Sequence, residues 1–353
     1  MAVFPTPQPF DLPALRFADF AGILWSGPGE TLNPLSGEGF FIPTSSGKAA
    51  LCLALQDLRA SGRIPDKNVN VMVPKWLDYA VYSVMHLHAF PSQDPDGELA
   101  AMVVYHQYGF AQDMDAISAF AVERGLPIIE DCAHAIAGEY HGRRLGSFGD
   151  YAVFSFSKFF PCIMAGGLWV RNADAYERIV KAAGRNHKPY LQAYSLAIRL
   201  LHDLAADGSP GLLNRLLETS YAVYDRHPRI NALVVRLLRR QLAQPVLRMR
   251  RNNWRVLRQT LAGTEMLAGL EETATPYCVP LKIPNHRRDQ ALAAARAHGI
   301  RTGYYKFDEA RNLLYPDFQD RLLVPVHQGL DEAAVARIGK DLRSAVANNG
   351  ARP

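Results

Sequence analysis

Between residues 45 and 171 short β-branched or apolar runs alternate with segments of helical periodicity, and this alternation constrains the fold more than any other feature. Ser45-Ser46-Gly47 stands before Lys48-Ala49-Ala50-Leu51-Cys52-Leu53-Ala54-Leu55, a run of good helix formers behind an N-cap serine. Val69–Val73 reads as a strand ended by Pro74, Trp76–Leu87 as a helix, and Met102-Val103-Val104-Tyr105 as a strand. A helix over Asp113–Arg124 and a strand at Leu126-Pro127-Ile128-Ile129, closed by Glu130-Asp131, come next. Tyr151–Phe156, Leu168-Trp169-Val170 and a helix from Ala173 onward complete the series. Strands separated by helices at this spacing need crossover connections, which predicts an α/β fold with a mostly parallel sheet covered on both faces. Ligands of such sheets gather at the carboxyl ends of the strands. Ser46, Asp131 and Lys158 all fall at or just beyond predicted element ends, so they are expected to converge there.

Composition narrows the class. The chain has 353 residues, 48% hydrophobic and 21% charged, the profile of an ordinary globular protein long enough for about two domains. A formal charge of +5 is mild. The arginine clusters at Arg236–Arg240 and Arg248–Arg251 sit in helical sequence and read as solvated faces or small-anion contacts, so no nucleic-acid partner is expected. Cys52, Cys132, Cys162 and Cys278 match no zinc or disulfide spacing and read as buried small residues of a reduced, cytoplasmic protein. No apolar run reaches the length of a membrane span, and Met1-Ala2-Val3-Phe4-Pro5 lacks the pattern of a secretory leader. Residues before about 40, rich in Gly and Pro, read as an irregular arm. From about Asp174 to Leu261 the sequence is mainly helical, with Pro245 as a break. A smaller α/β unit follows, with strands at Val279–Ile283 and Leu322–Pro325 and helices at Arg288–His298 and Asp331–Ala347. The expected division is residues 1–244, arm and large domain, and 245–353, small C-terminal domain.

The chemistry-bearing residues cluster around one lysine. Lys158 ends Phe154-Ser155-Phe156-Ser157-Lys158, shortly after Glu130-Asp131 and before Gly166-Gly167. A strand-borne acid, a lysine on a turn and a Ser-x-x-Lys spacing are the parts that hold pyridoxal 5′-phosphate as a Schiff base. Lys158 is the candidate imine-forming and proton-carrying amine. Phe154, Phe156, Phe159, Phe160 and Pro161 give it an apolar setting that favours the free amine. Asp131 has the place to keep a pyridine nitrogen protonated, or simply to end its strand. Ser155 has the place to meet a phosphate, or to satisfy backbone. Ser46-Gly47-Lys48 opens a helix, where unpaired amides favour an anion. A nucleotide-triphosphate loop is excluded, because Ile42 stands where its first glycine belongs and Ala49 replaces the magnesium-binding hydroxyl. Trp76 has the place to stack on the pyridine ring, with Tyr79 as its substitute; a place in the helix core suits either equally. His134 suits a cofactor-orienting role or a structural one.

The stretch Ile128-Ile129-Glu130-Asp131-Cys132-Ala133-His134-Ala135, continued by Gly146-Ser147-Phe148-Gly149-Asp150, Phe154–Lys158 and Gly166-Gly167, resembles the signature of the DegT-type nucleotide-sugar aminotransferases, which share the fold-type I architecture. Ser46–Leu51, His106-Gln107-Tyr108-Gly109 with Asp113–Ile117, and Leu323-Val324-Pro325-Val326-His327-Gln328-Gly329-Leu330 are similar to further elements of that family. The resemblance runs from about residue 40 to 340. It implies that Lys158 carries the cofactor, Asp131 meets the ring nitrogen, His134 lies beside the ring, and Gly47, Lys48 and Ser155 bind phosphate. It also implies a keto group of a nucleotide-linked deoxysugar as acceptor, glutamate as donor, and a homodimer with active sites at the interface. The sequence departs from the family pattern in three places. Asp78 stands where most members carry an aromatic residue. The lysine segment is the shorter Phe-Ser-Phe-x-Lys form. The Gly-x-Asn-x-Arg-Met element is reduced to an echo at Arg229-Ile230-Asn231. Two alternatives stand beside amino transfer: a sugar dehydratase or other eliminase using the same cofactor, and a catalytically degenerate member used for binding or regulation.

Overall fold

The computed structural model of the chain describes residues 32–35, 39–185, 188–204, 211–212, 215–216, 219–220 and 228–347; most of the expected arm lies outside the described residues. Seven strands form the main sheet: β1 (Phe40–Thr44), β2 (Asn70–Met72), β3 (Phe90–Ser92), β4 (Ala101–Tyr105), β5 (Ile128–Asp131), β8 (Tyr151–Ser155) and β9 (Gly166–Val170), in the order β1-β9-β8-β5-β4-β2-β3. A two-stranded hairpin, β6 (Glu139–Tyr140) and β7 (Arg143–Arg144), lies between β5 and β8. The β3–β2, β2–β4, β4–β5 and β5–β8 pairs are parallel, as expected. The β8–β9 and β9–β1 pairs are antiparallel, because β8 turns back through the Phe156–Lys158 segment instead of crossing over through a helix.

Alternate side chains of these strands enter different cores, as the two-residue period of a strand requires. Val71, Val103, Ile129 and Val153 join Ala50, Leu51, Ala54 and Leu58 of helix α1 (Gly47–Ala60). On the other face Met72, Met102, Val104 and Ile128 meet Met114, Ile117 and Ala121 of a helix over Met114–Arg124. Burial on both faces explains why β4 and β5 read as nearly continuous apolar runs. α1 is buried without a break from Ala49 to Leu55, so it is the central element on its side of the sheet. Ser46 starts it, accepting a hydrogen bond from Ala49 N at 3.0 Å.

The predicted helix at Trp76–Leu87 is shorter than expected and runs from Tyr79 to Met85. Pro74 and the turn at Asp78, whose carbonyl accepts from Val81 N and Tyr82 N, delay its start, and Trp76 stands before it, half exposed. The C-terminal region forms an antiparallel sheet β10-β12-β11, made of Cys278–Leu281, Phe318–Pro325 and Tyr304–Asp308. The strand at Tyr304–Asp308 has no counterpart in the sequence reading. Helices over Val246–Thr260, Arg288–Ala297 and Glu332–Ala347 pack with this sheet, and one apolar core runs from Phe154 and Phe156 through Trp254 to Leu281, Val324 and Leu342. The four cysteines are free and buried. Among the described residues no helix is long and apolar enough to cross a membrane.

One polar contact ties α1 to this frame. Asp57, buried near the end of α1, accepts from Tyr151 Oη at 2.7 Å and takes both Nε and Nη2 of Arg178 at 2.7 and 3.0 Å. Burial, and after it the Asp57 carboxylate, hold the Tyr151 phenol well above its usual pKa. Removing the acid strands a buried hydroxyl and an arginine that is itself partly solvated, so Asp57→Ala should cost about 2–3 kcal/mol. The measurement is the urea unfolding midpoint. A change below about 0.5 kcal/mol would mean that the contact adds nothing.

Candidate functional site

Two adjacent acids at the end of β5 take different roles. Glu130 is fully buried and accepts four hydrogen bonds: from Gly146 N at 2.7 Å, Phe148 N and Gly149 N at 2.6 Å each, and His106 Nε2 at 3.1 Å. His106 Nδ1 in turn accepts from Gln112 N at 3.2 Å. With Cys132, these two residues form a compact buried group of metal-ligand types. The Glu130 oxygens and His106 Nδ1 already accept from backbone amides, which makes the pair a structural clamp. It explains why Gly146-Ser147-Phe148-Gly149 follows Glu130-Asp131 in the sequence. The carboxylate of Asp131, also buried, accepts one hydrogen bond among the described residues, from Ala133 N at 2.9 Å. Burial raises its pKa, opposed by the Ala133 amide and by the charges of Lys158 and His106. A buried carboxylate with an oxygen to spare can bind a cationic partner.

Lys158 closes the 3-10 turn Phe156–Lys158 that follows β8. Its Nζ lies 2.8 Å from His134 Nε2 and 5.6 Å from the Tyr277 ring centre. Burial pushes the lysine pKa down, and Lys48 adds to that; Asp131, Asp78 and Cys278 pull the other way. The turn is held from the C-terminal region. Gln328 Nε2 donates to Phe159 O at 2.7 Å, and Gln328 Oε1 accepts from Arg250 Nε at 3.1 Å. Arg250 also donates to Tyr277 O at 3.1 Å and lies 4.7 Å over the Phe159 ring. Arg250 is therefore fully buried, a correction to the solvated face expected for Arg248–Arg251. Its neighbours are carbonyl, amide and aromatic groups, so desolvation lowers its pKa to about 10.

Ser46, Gly47, Ser155 and Gly166 meet at one point. A Cβ on Gly166 would lie 2.2 Å from the Ser46 carbonyl carbon and 2.5 Å from Gly47 N, so glycine is required for β9 to pass under the start of α1. A Cβ on Gly47 would lie 3.2 Å from Ser155 Cβ. The amides at the helix start and the Ser155 side chain are thereby brought together, an arrangement suited to an anion. The Ser46 hydroxyl is committed to capping α1. Lys48 and Asp78 both lie within electrostatic reach of Lys158.

His134 is enclosed by aromatic rings that the sequence reading did not single out. Tyr277 stacks on it at 4.2 Å and 12°, and Tyr108 lies at 5.8 Å and 17°. Tyr105 Oη lies 2.5 Å from His134 Nδ1. Burial, Lys158 and Arg250 hold the His134 pKa well below the ordinary histidine value, so the ring is neutral. Gly109, at φ 97°, admits this cluster, since a Cβ there would lie 2.9 Å from both His134 O and Pro276 Cα. Tyr105 had a signal in its position, because it ends β4 directly beside Asp131. Tyr277 and Arg250 had none, because they reach the site from distant sequence.

Trp76 lies with Pro74, Tyr105, Gln107, Gln112 and Asp308 around a groove next to this cluster. Tyr79 is exposed at the start of its helix. The Arg229-Ile230-Asn231 echo is used locally: Arg229 bridges Thr44, and Asn231 caps the Ala232–Leu242 helix through Leu233 N at 2.8 Å. The different roles of the two acids can be separated. Glu130→Gln should lower stability by about 2–4 kcal/mol, because a carboxamide cannot accept all four donors. Asp131→Asn should stay within about 1 kcal/mol of the parent while losing retention of any cationic ring. Thermal unfolding of the two variants in parallel checks this; an equal loss in both would refute the separation.

Residues 96–327 match the DegT/DnrJ/EryC1/StrS aminotransferase family. The chain is 32% identical over 172 residues to an L-glutamine:2-deoxy-scyllo-inosose aminotransferase of Micromonospora echinospora, covering 43% of this chain and 40% of that protein. It is 34% identical over 173 residues to a UDP-N-acetyl-3-dehydro-alpha-D-glucosamine 3-aminotransferase of Acidithiobacillus ferrooxidans, covering 43% and 45%. The chain thus spans less than half the length of the curated relatives it matches. In fold it is similar to the aminotransferase from Psychrobacter cryohalolentis, with a TM-score of 0.66 at 19% identity over 95% of this chain and 99% of that one. The Glu130–Lys158 stretch lies within the matched residues, and the chain belongs to the DegT/DnrJ/EryC1/StrS aminotransferase family, whose cofactor is pyridoxal phosphate.

Proposed function

We propose that this chain is a pyridoxal-phosphate aminotransferase that moves an amino group from glutamate or its amide to a ring ketone of a nucleotide-linked sugar. The observation that carries the reading is the grouping of Lys158, Asp131 and the Ser46–Gly47/Ser155 cradle at one end of the sheet. These residues fit the cofactor's three demands for an amine, a carboxylate and an anion site. When bound, the cofactor supplies an electron sink for the carbanion formed at the donor's α-carbon. Lys158 Nζ would hold it and would carry the proton that leaves that carbon; its apolar setting favours the unprotonated form that both tasks need. Asp131 holds a proton on the ring nitrogen, and the cation formed there offsets the cost of the buried carboxylate. The Gly47 and Lys48 amides, with Ser155, hold the phosphate. Trp76 offers an aromatic face and Gln112 an amide in this groove for a sugar, while the Gln107 amide is engaged by Lys306 O and Asp308 N.

The printed activities of the relatives, one on a keto cyclitol with glutamine and one on a UDP-linked keto sugar, support amino transfer to a ring ketone. Elimination is a weaker reading, because the relatives and the solved structure it is similar to are named as aminotransferases. We further propose the 244/245 division, supported by the Val246–Thr260 helix packing on the C-terminal elements, and a homodimer acting in the cytoplasm.

Two experiments test the reading. Borohydride reduction of the loaded protein followed by peptide mass spectrometry should find phosphopyridoxyl on Lys158, and Lys158→Ala should lower turnover by at least about a thousandfold. A label on another lysine, or none, defeats the proposal. A half-reaction screen of the pyridoxamine form against keto sugar nucleotides and a keto cyclitol should give spectral conversion with a nucleotide-linked sugar. Conversion with the free cyclitol alone would reject the nucleotide-linked acceptor.

A further inference from the structure

His134 lies in a chain of contacts whose two ends differ in chemistry. Its Nδ1 faces a phenol, Tyr105 Oη, at 2.5 Å, and its Nε2 faces an amine, Lys158 Nζ, at 2.8 Å. A neutral imidazole carries one proton, so one of these nitrogens donates and the other accepts. The phenol decides which. Its pKa lies well above the ordinary tyrosine value, chiefly through burial, with Tyr108, Asp131, Cys278 and Tyr277 adding to the effect, so it keeps its proton. Among the described residues its one hydrogen-bond partner is Nδ1. The phenol proton is therefore given to Nδ1, and the imidazole proton stays on Nε2, opposite the lysine. An N–H facing an ammonium would set two donors head to head. An N–H facing a free amine makes a hydrogen bond to its lone pair.

We propose that Tyr105 is a positioning residue that fixes His134 as the Nε2–H tautomer, so that His134 donates to Lys158 Nζ and keeps it a free amine. The inference deepens the reading of Lys158 given above, since an amine must be unprotonated to add to a carbonyl carbon. The other groups facing the lysine divide in sign. Asp131, Asp78 and Cys278 favour its charged form, Lys48 opposes it, and the Tyr277 ring lies 5.6 Å away. Two carboxylates thus work against the free amine, and the tautomer of His134 counters them. The reverse tautomer, with Nε2 accepting, would join the carboxylates in stabilising ammonium. Around His134 itself burial and the Arg250 charge disfavour an imidazolium, and Lys158 adds to them only when it is protonated. Tyr277 and Tyr108 stack on the ring without setting its tautomer, because they offer it π faces and no acceptor.

The test uses the full chain without cofactor. Nitrogen-15 NMR of histidine-labelled protein, assigned with His134→Gln, should show His134 protonated on Nε2 in the wild type. Tyr105→Phe should move the population toward Nδ1–H. Labelling of Lys158 by an amine-directed reagent, followed by mass spectrometry across pH, should slow about tenfold at neutral pH in Tyr105→Phe and recover at higher pH, the size expected for one hydrogen bond at a charged group. Tyr277→Phe keeps the stacked ring, so its Lys158 profile should stay within about twofold of wild type. A wild-type His134 protonated on Nδ1 overturns the inference even if Tyr105→Phe fails to fold. So does a Tyr105→Phe profile that matches the wild type, or an equal shift in both tyrosine variants. These readouts need no cofactor. A wild type that fails to capture pyridoxal phosphate at Lys158 would therefore sink the proposed function and leave this inference standing, and the converse also holds.

Discussion

The buried Glu130 carboxylate and its four hydrogen bonds hold the carboxyl end of the central strands in place. A carboxylate in an apolar interior is tolerated only when its lone pairs are taken up. Here three backbone amides of the Gly146–Gly149 loop and the His106 ring do so. This fixes the entry of β8 beside β5 and the exit of β4 with it. Asp131, Tyr105 and the Lys158 turn all hang from those three strand ends, so their mutual positions follow from a contact that takes no part in the chemistry.

A second constraint is close backbone approach. Gly166 lets β9 pass within van der Waals range of the Ser46–Gly47 peptide, and Gly47 lets the start of α1 approach Ser155. The helix start and the strand-borne residues thereby share one space. The site is finished from the C-terminal region: Gln328 ties down Phe159 O next to Lys158, and Arg250 holds Gln328 and the Tyr277 backbone. Arg250 has polar partners on its edge and an aromatic ring on its face, an environment that accepts a buried guanidinium better than it would an ammonium. Tyr277 then covers one face of His134.

Much of this was legible in the chain. The strands at 102–105 and 151–156 stand out because both faces are buried, and the Ser46 cap is local chemistry written in adjacent residues. Asp131 and Lys158 could be singled out as candidates because one ends a strand and the other closes the turn after the neighbouring strand. The late start of the Tyr79–Met85 helix was missed because periodicity continues through Lys75–Asp78 while Pro74 and the Asp78 turn hold the backbone out of it. The short strands β1 and β3 and the strand at Tyr304–Asp308 were missed because their faces are only partly buried and carry no clean alternation. Arg250 looked like one more charge on a solvated helix, since helical spacing does not reveal which face a distant segment will cover.

Sequence alone determined the fold class and the family, and it pointed to Lys158 and Asp131 as the candidate amine and carboxylate. Those properties depend on local period, capping and short motifs, which act over a few residues. Tertiary structure decided what each polar group faces. It turned Glu130 into a clamp and left Asp131 with an oxygen to spare, though the two are neighbours in one strand. It set a tyrosine on one nitrogen of His134 and the lysine on the other. Protonation, tautomer and burial are properties of three-dimensional neighbourhoods assembled from segments far apart in the chain, and no local spacing encodes them.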